Sequence, residues 1–178
     1  MHGRIYEIAY EPEDCAIAEE MDFDDGEFIG KIADYVSAID PGFVPEELEQ
    51  FADQYSGILE VEDSGLNDSN GNPVYKITII NKEAFFEPRL QRFLENAEKF
   101  AAMVSKDKDE VFKLFMGEVD ENDMLLSDIL EQLQLSFSDD FGDYVYTDGI
   151  GPRTFDDFLR EAENGAEFYI SSLFDYHS

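Results

Sequence analysis

This chain of 178 residues has no tryptophan, one cysteine, two histidines and only twelve basic side chains. Each shortage removes a class of function. The single Cys15 excludes an internal disulfide and fits a reducing cytosol. His2 and His177 stand at the two ends and Cys15 has no partner thiol, so no zinc-ligand spacing exists. A Ser–His or Cys–His nucleophile would have to recruit one of those terminal histidines. Gly149-Ile150-Gly151-Pro152 lacks the lysine of a phosphate loop, and its proline removes a cradle N–H. No apolar run suits a signal peptide or a membrane span, so the expectation is a cytoplasmic protein without membrane partners.

Acid is what the chain has in excess. Its 43 Asp and Glu give a net charge of −31, yet 43% of residues are apolar, with 16 Phe and 9 Tyr to fill a core. The charge is segregated. Residues 76–113 hold 8 basic and 7 acidic side chains, whereas residues 1–75 hold 2 and 20 and residues 114–178 hold 2 and 16. A nearly neutral centre is therefore flanked by two intensely acidic arms.

That centre contains the clearest amphipathic pattern. Leu90, Phe93, Leu94, Ala97, Phe100, Ala101 and Val104 recur at helical spacing, and Pro88 suits a first turn, predicting a helix over about 86–105. The stripe is expected to be buried against a strand containing Val74, Ile77 and Ile79. Upstream, Arg4–Tyr10 reads as a strand, 27–39 as a helix burying Phe28, Ile29, Ile32, Tyr35, Val36 and Ile39, and Pro45 opens a short helix through Leu48, Phe51, Ala52 and Tyr55. Ile58–Asp63 and Val74–Asn81 form a hairpin with residues 64–73 as its tip. Downstream, Asp107 with Glu110 resembles a capping box before Val111, Phe112, Leu114 and Phe115; residues 120–135 read as a helix. Tyr144–Tyr146 is a short strand, Thr154 caps a helix through Phe155, Phe158, Leu159 and Ala162, and Ala166–Tyr176 is a final strand. The expected class is α+β: one domain with a mainly antiparallel sheet (N-terminal strand, central hairpin, C-terminal strand) covered by about six helices, and a subdomain hinge near 117–122.

Metal and acid–base chemistry find little purchase. Placing Gly26, Gly71 or Gly142 at the sixth position of an EF-hand loop puts Met21, Leu66 or Phe137 where the first carboxylate belongs, so all three fail. Asp139, Asp140, Asp143 and Asp148 could gather around a divalent ion, which would make a small carboxylate-metal hydrolase; their spacing carries no signature, and the reading is of no metal and no cofactor. Asp157 and Glu161 lie one turn apart, but Asp157 also suits a helix N-terminus; Asp156 with Arg160 reads as an i, i+4 ion pair.

The charge itself carries the functional expectation. For a folded surface of roughly 8,800 Å², 43 carboxylates amount to one per ~200 Å². A nucleic-acid duplex carries roughly one charge per 100 Å². Concentration on half the surface would match it. In size and charge, over the whole chain and without a motif to align, the sequence resembles the phage-borne acidic inhibitors of restriction and CRISPR systems that mimic DNA. The resemblance implies a non-enzymatic protein that occupies the basic nucleic-acid-binding surface of a partner protein and does not bind nucleic acid itself. It assigns no individual residue. The densest carboxylate runs are the candidate contacts: Glu11, Glu13 and Asp14; Glu19, Glu20, Asp22, Asp24 and Asp25; and Asp139, Asp140 and Asp143, with Asp120, Glu121 and Asp123 as weaker candidates. A solvated acidic binding or structural subunit is the remaining alternative.

Overall fold

The computed structural model describes residues 2–15, 17–24, 28–117, 126–137 and 142–178. Two compact units share the chain: Met1–Ala84 together with Asp140–Ser178, and Phe85–Asp139.

The first unit is built on a seven-stranded sheet in the order β3-β4-β7-β1-β5-β6, with β2 also paired to β7. Its strands are β1 (His2–Ala9), β2 (Tyr35–Ala38), β3 (Leu59–Asn67), β4 (Pro73–Ile79), β5 (Tyr144–Thr147), β6 (Gly151–Thr154) and β7 (Glu167–His177). Every pairing is antiparallel except β1 with β5. β7 is eleven residues long, so β4 pairs with its first half and β2 with its second, side by side along one edge.

Side chains alternate across a strand, and the two faces are covered differently. One face of the sheet buries Ile5, Val36, Tyr144, Tyr146, Phe174 and Tyr176 beneath Phe23, Phe28 and Ala33. Its cover is thus the irregular connection from β1 to β2. On the other face lie α1 (Val44–Gln54) and α5 (Phe155–Glu161). There the Tyr6 and Phe51 rings are 4.0 Å apart, and Phe51 also meets Tyr55 and Phe155 edge-on. Gly3 must be glycine because Tyr176, opposite it in β7, lays its ring where a Cβ would stand.

Several sequence expectations hold. The first and last strands, the hairpin, the Pro45 helix and the Thr154 cap are present, the Thr154 hydroxyl accepting the Asp157 amide at 3.3 Å. Helix number does not hold: among the described residues there are five α-helices, not about six. Where the sequence predicts a helix over 27–39, residues 28–34 are turns and bends that lead into β2. The apolar residues of this stretch are buried as expected at Phe28 and Val36, but Gly30 has φ 95° and Tyr35–Ala38 pair with β7. The hairpin tip is also shorter than expected. β3 continues past a bulge between Asp63 and Leu66 to Asn67, and Asp68 closes the turn by accepting the Asn70 and Asn72 amides, each at 2.8 Å.

The second unit holds α2 (Glu83–Val104, which begins in the first unit), α3 (Lys108–Phe115) and α4 (Leu126–Leu135). α2 confirms the central helix but not its buried stripe. Leu90, Leu94 and Val104 are 57%, 49% and 41% exposed, Phe93 is half-buried with its ring 4.9 Å from Phe137, and the fully buried residue of the helix is Asn96. Pro88 lies inside the helix rather than in its first turn. Asp107 does cap α3, accepting the Asp109 amide at 2.7 Å, yet Phe112 and Phe115 are exposed. The hinge expected near 117–122 falls largely outside the described residues, as does the start of the helix expected at 120.

Candidate functional site

Between Arg4 and Lys31 the sequence has no lysine or arginine, and this stretch holds the first two carboxylate runs. Regular helix is not what fixes it. Pro12–Asp14 and Glu20–Phe23 are single 3-10 turns, and the segment is pinned to the sheet at separate points. Cys15 packs with Ala9 and Val74, and Phe23 is fully buried among Tyr146, Phe174 and Phe28. Between these anchors, Glu7 reaches up from β1. Its Oε1 accepts the amides of Ile17 and Ala18, both at 2.7 Å, and its Oε2 accepts the Ser172 hydroxyl. Asp22 accepts the Glu19 amide at 2.7 Å in a reciprocal capping box, and Glu20 accepts the Ala38 amide at 2.8 Å, tying the turn to β2.

Cys15 and Phe23 turn inward, and the carboxylates between and beside them stay at the surface. Glu11, Glu13, Asp14, Glu19, Glu20, Asp22 and Asp24 are all exposed. Seven of the eleven candidate contacts are thus brought onto one clamped segment. Asp25, Asp139 and Asp140 lie outside the described residues, as do the weaker candidates Asp120, Glu121 and Asp123.

Asp143 turns inward, where the sequence reading expected an exposed run. Its carboxylate accepts the Tyr55 hydroxyl at 2.9 Å and the Gln54 amide at 3.2 Å. Burial pushes this carboxyl up, and the hydrogen bonds from Tyr55, Arg4 and Gln54 only partly offset it. Glu7 is raised for the same reason: desolvation outweighs the hydrogen bonds from Ser172, Ala18 and Ile17, and the Asp22 charge adds to it. Asp68 goes the other way, its hydrogen bonds, chiefly from Asn72, overcoming the effect of burial.

The first unit carries 6 basic and 30 acidic side chains, the second 6 and 13. Four cations of the first unit are committed away from the Glu11–Asp24 segment. Arg4 forks onto Glu47 at 2.7 and 3.0 Å and also meets Asp175; Lys76 reaches Glu62 at 2.6 Å and Glu167 at 3.2 Å; Arg153 holds Glu161. Arg160 bonds Asp157, three residues back, at 2.5 Å.

The terminal histidines were not legible as neighbours. β1–β7 pairing sets His2 opposite His177 with ring centroids 5.0 Å apart; Asp175 lies 3.0 Å from His2, Asp34 3.4 Å from His177, and Tyr35 stacks on His177. The signal was the symmetry of two strand-forming ends. Cys15 is buried and its thiol is pushed up to about 12, mainly by desolvation, which leaves little thiolate at neutral pH. Among the described residues no three His, Cys, Asp or Glu side chains are grouped to hold a metal ion, and no helix is long and apolar enough to cross a membrane.

No protein-family model, curated protein or solved structure matches the chain.

Proposed function

We propose that this protein is an acidic inhibitor that occupies the basic nucleic-acid-binding cleft of a partner protein, presenting carboxylates where the partner expects phosphates. One observation carries the reading: the seven exposed carboxylates of Glu11–Asp24 sit on a segment fixed to a sheet by Cys15, Glu7 and Phe23. A fixed array loses little conformational freedom when it docks, so its Coulomb attraction is not spent on ordering the segment. Arg4, Lys76, Arg153 and Arg160 of the same unit are engaged by carboxylates outside the segment, so these four charges do not neutralise its field. Phosphate contacts supply most non-specific nucleic-acid affinity, and an anionic protein competes for that component without needing a base sequence.

The experiment is capture from the native host on the immobilised protein, alongside a variant with Glu11, Glu13, Asp14, Glu19, Glu20, Asp22 and Asp24 replaced by Gln or Asn. A partner retained only by the parent and released by added nucleic acid supports the reading. A partner retained equally by both, or one that holds protein and nucleic acid together, contradicts it.

A further inference from the structure

The pairing of β1 with β7 brings the chain's two histidines, His2 and His177, directly opposite each other. We propose that they bind a divalent transition-metal ion of the zinc class through their two Nε2 atoms, clipping the first strand to the last. This site is independent of the mimicry reading and uses none of its carboxylates.

The backbone sets the distance. His177 spends its carbonyl on the Asp34 amide at 2.6 Å, on the β2 side. Toward β1 it therefore occupies a non-hydrogen-bonded position, where cross-strand side chains approach most closely. The two ring centres stand 5.0 Å apart with their planes at 68°. With metal–nitrogen bonds of about 2.0–2.1 Å, two imidazoles on one tetrahedral ion also hold their centres about 5 Å apart.

The second observation is how the rings are held. Asp175 Oδ2 lies 3.0 Å from Nδ1 of His2, and Asp34 Oδ2 lies 3.4 Å from Nδ1 of His177. A carboxylate can only accept, so each neutral ring carries its proton on Nδ1 and its lone pair on Nε2. Neither Nε2 has a hydrogen-bond partner among the described residues. A carboxylate on the far nitrogen is what orients a metal-ligating imidazole and raises its basicity. The supports are themselves fixed. Asp175 gives its other oxygen to Arg4, which forks onto Glu47, and Tyr35 stacks on His177.

The chemistry of the donors selects the ion. Imidazole nitrogen suits Zn²⁺, Ni²⁺ and Cu²⁺, whereas Mg²⁺ and Ca²⁺ prefer oxygen. Among the described residues no third His, Cys, Asp or Glu joins the pair, so the protein supplies two nitrogens and water completes the shell. The net charge of −31 concentrates cations at the surface and favours their capture.

The test is titration of the full chain, without a histidine tag, with zinc chloride against a constant excess of magnesium chloride to occupy scattered carboxylates. Calorimetry gives the stoichiometry, and the side-chain nitrogen resonances report the ligands; with two histidines in the chain their assignment is direct. One ion per chain, moving both Nε2 resonances together, is expected. His2→Ala and His177→Ala should each weaken binding by about tenfold or more. Both side chains are partly exposed, at 59% and 38%, so these variants keep the fold and the loss reads the site. Asp34→Asn, which leaves both ligands in place, should weaken binding about tenfold. Zinc should also raise the melting temperature of the parent by mass action, and raise it less in either histidine variant. Binding undiminished in both histidine variants, a shift of one histidine alone, one ion shared between two chains, or displacement of zinc by magnesium would each overturn the proposal.

Discussion

Glu7 and Ile17, ten residues apart, are joined by a 2.7 Å hydrogen bond from the Ile17 amide to a carboxylate buried in the middle of the sheet. The same oxygen takes the Ala18 amide, so one side chain fixes the centre of the acidic segment. Glu7→Ala would leave both amides without their acceptor, at roughly 1–3 kcal/mol for each buried unsatisfied group. Chemical denaturation should show a loss of about 2–5 kcal/mol for Glu7→Ala and a much smaller one for Glu7→Gln, whose carbonyl oxygen can still accept. Equal losses for the two variants would show that the amides do not depend on this contact.

Raised carboxyls give the protein an unusual pH profile. Glu7 and Asp143 bind protons more tightly folded than unfolded, so their contribution to stability is present below the ordinary carboxylate range and is lost as pH rises through their folded values. Protonation also relieves the repulsion of a −31 chain. The melting temperature should therefore rise on acidification from neutral pH into the upper carboxylate range. Asp68, held below its ordinary value, opposes this only at more acid pH, where its folded form is forced to protonate. Glu7→Gln and Asp143→Asn should each flatten the rise. A melting temperature that falls steadily from pH 7 downward would contradict the assignment.

Packing separates the two faces of the sequence pattern. Phe51→Ala, at a residue 2% exposed among Tyr6, Tyr55 and Phe155, should cost about 3–5 kcal/mol. Leu94→Ala, on the exposed side of α2, should stay within about 0.5 kcal/mol. Urea melts of the two variants settle the matter, and a large loss at Leu94 would mean that the stripe is covered after all.

Salt should stabilise the chain. Between roughly 0.01 and 0.15 M salt the Debye length shrinks from about 30 to about 8 Å, which screens the distant carboxylate repulsions first. Calorimetry should record a higher melting temperature at the higher salt; no change would show that the charges are already balanced locally.

What the sequence made legible was whatever rested on local chemistry. RIYEIAY at residues 4–10, the Thr154 cap and the closing run through Tyr176 each announce their element by composition and spacing. What it hid was decided by partners far along the chain. Phe28, Ile32 and Val36 have helical spacing, but β7 offered Tyr35–Ala38 a ladder and Gly30 took a left-handed turn. Asp143 belongs by sequence to an acidic loop, and only the arrival of α1 gives it Tyr55 and Gln54. Glu7 did leave a trace: it stands on the Ile5–Ala9 face of an otherwise apolar strand, where a solvated carboxylate has no place.

The most direct test of the central claim is the association rate of the captured partner with two neutralised variants, measured against ionic strength. One variant replaces the seven carboxylates of Glu11–Asp24; the other replaces seven exposed carboxylates elsewhere, among them Glu46, Glu49 and Glu163. If the segment is the phosphate mimic, the first variant should lose about tenfold or more in association rate together with most of its salt dependence, while the second stays near the parent. Equal losses in both variants, or a parent rate that does not fall as salt is raised, would contradict it.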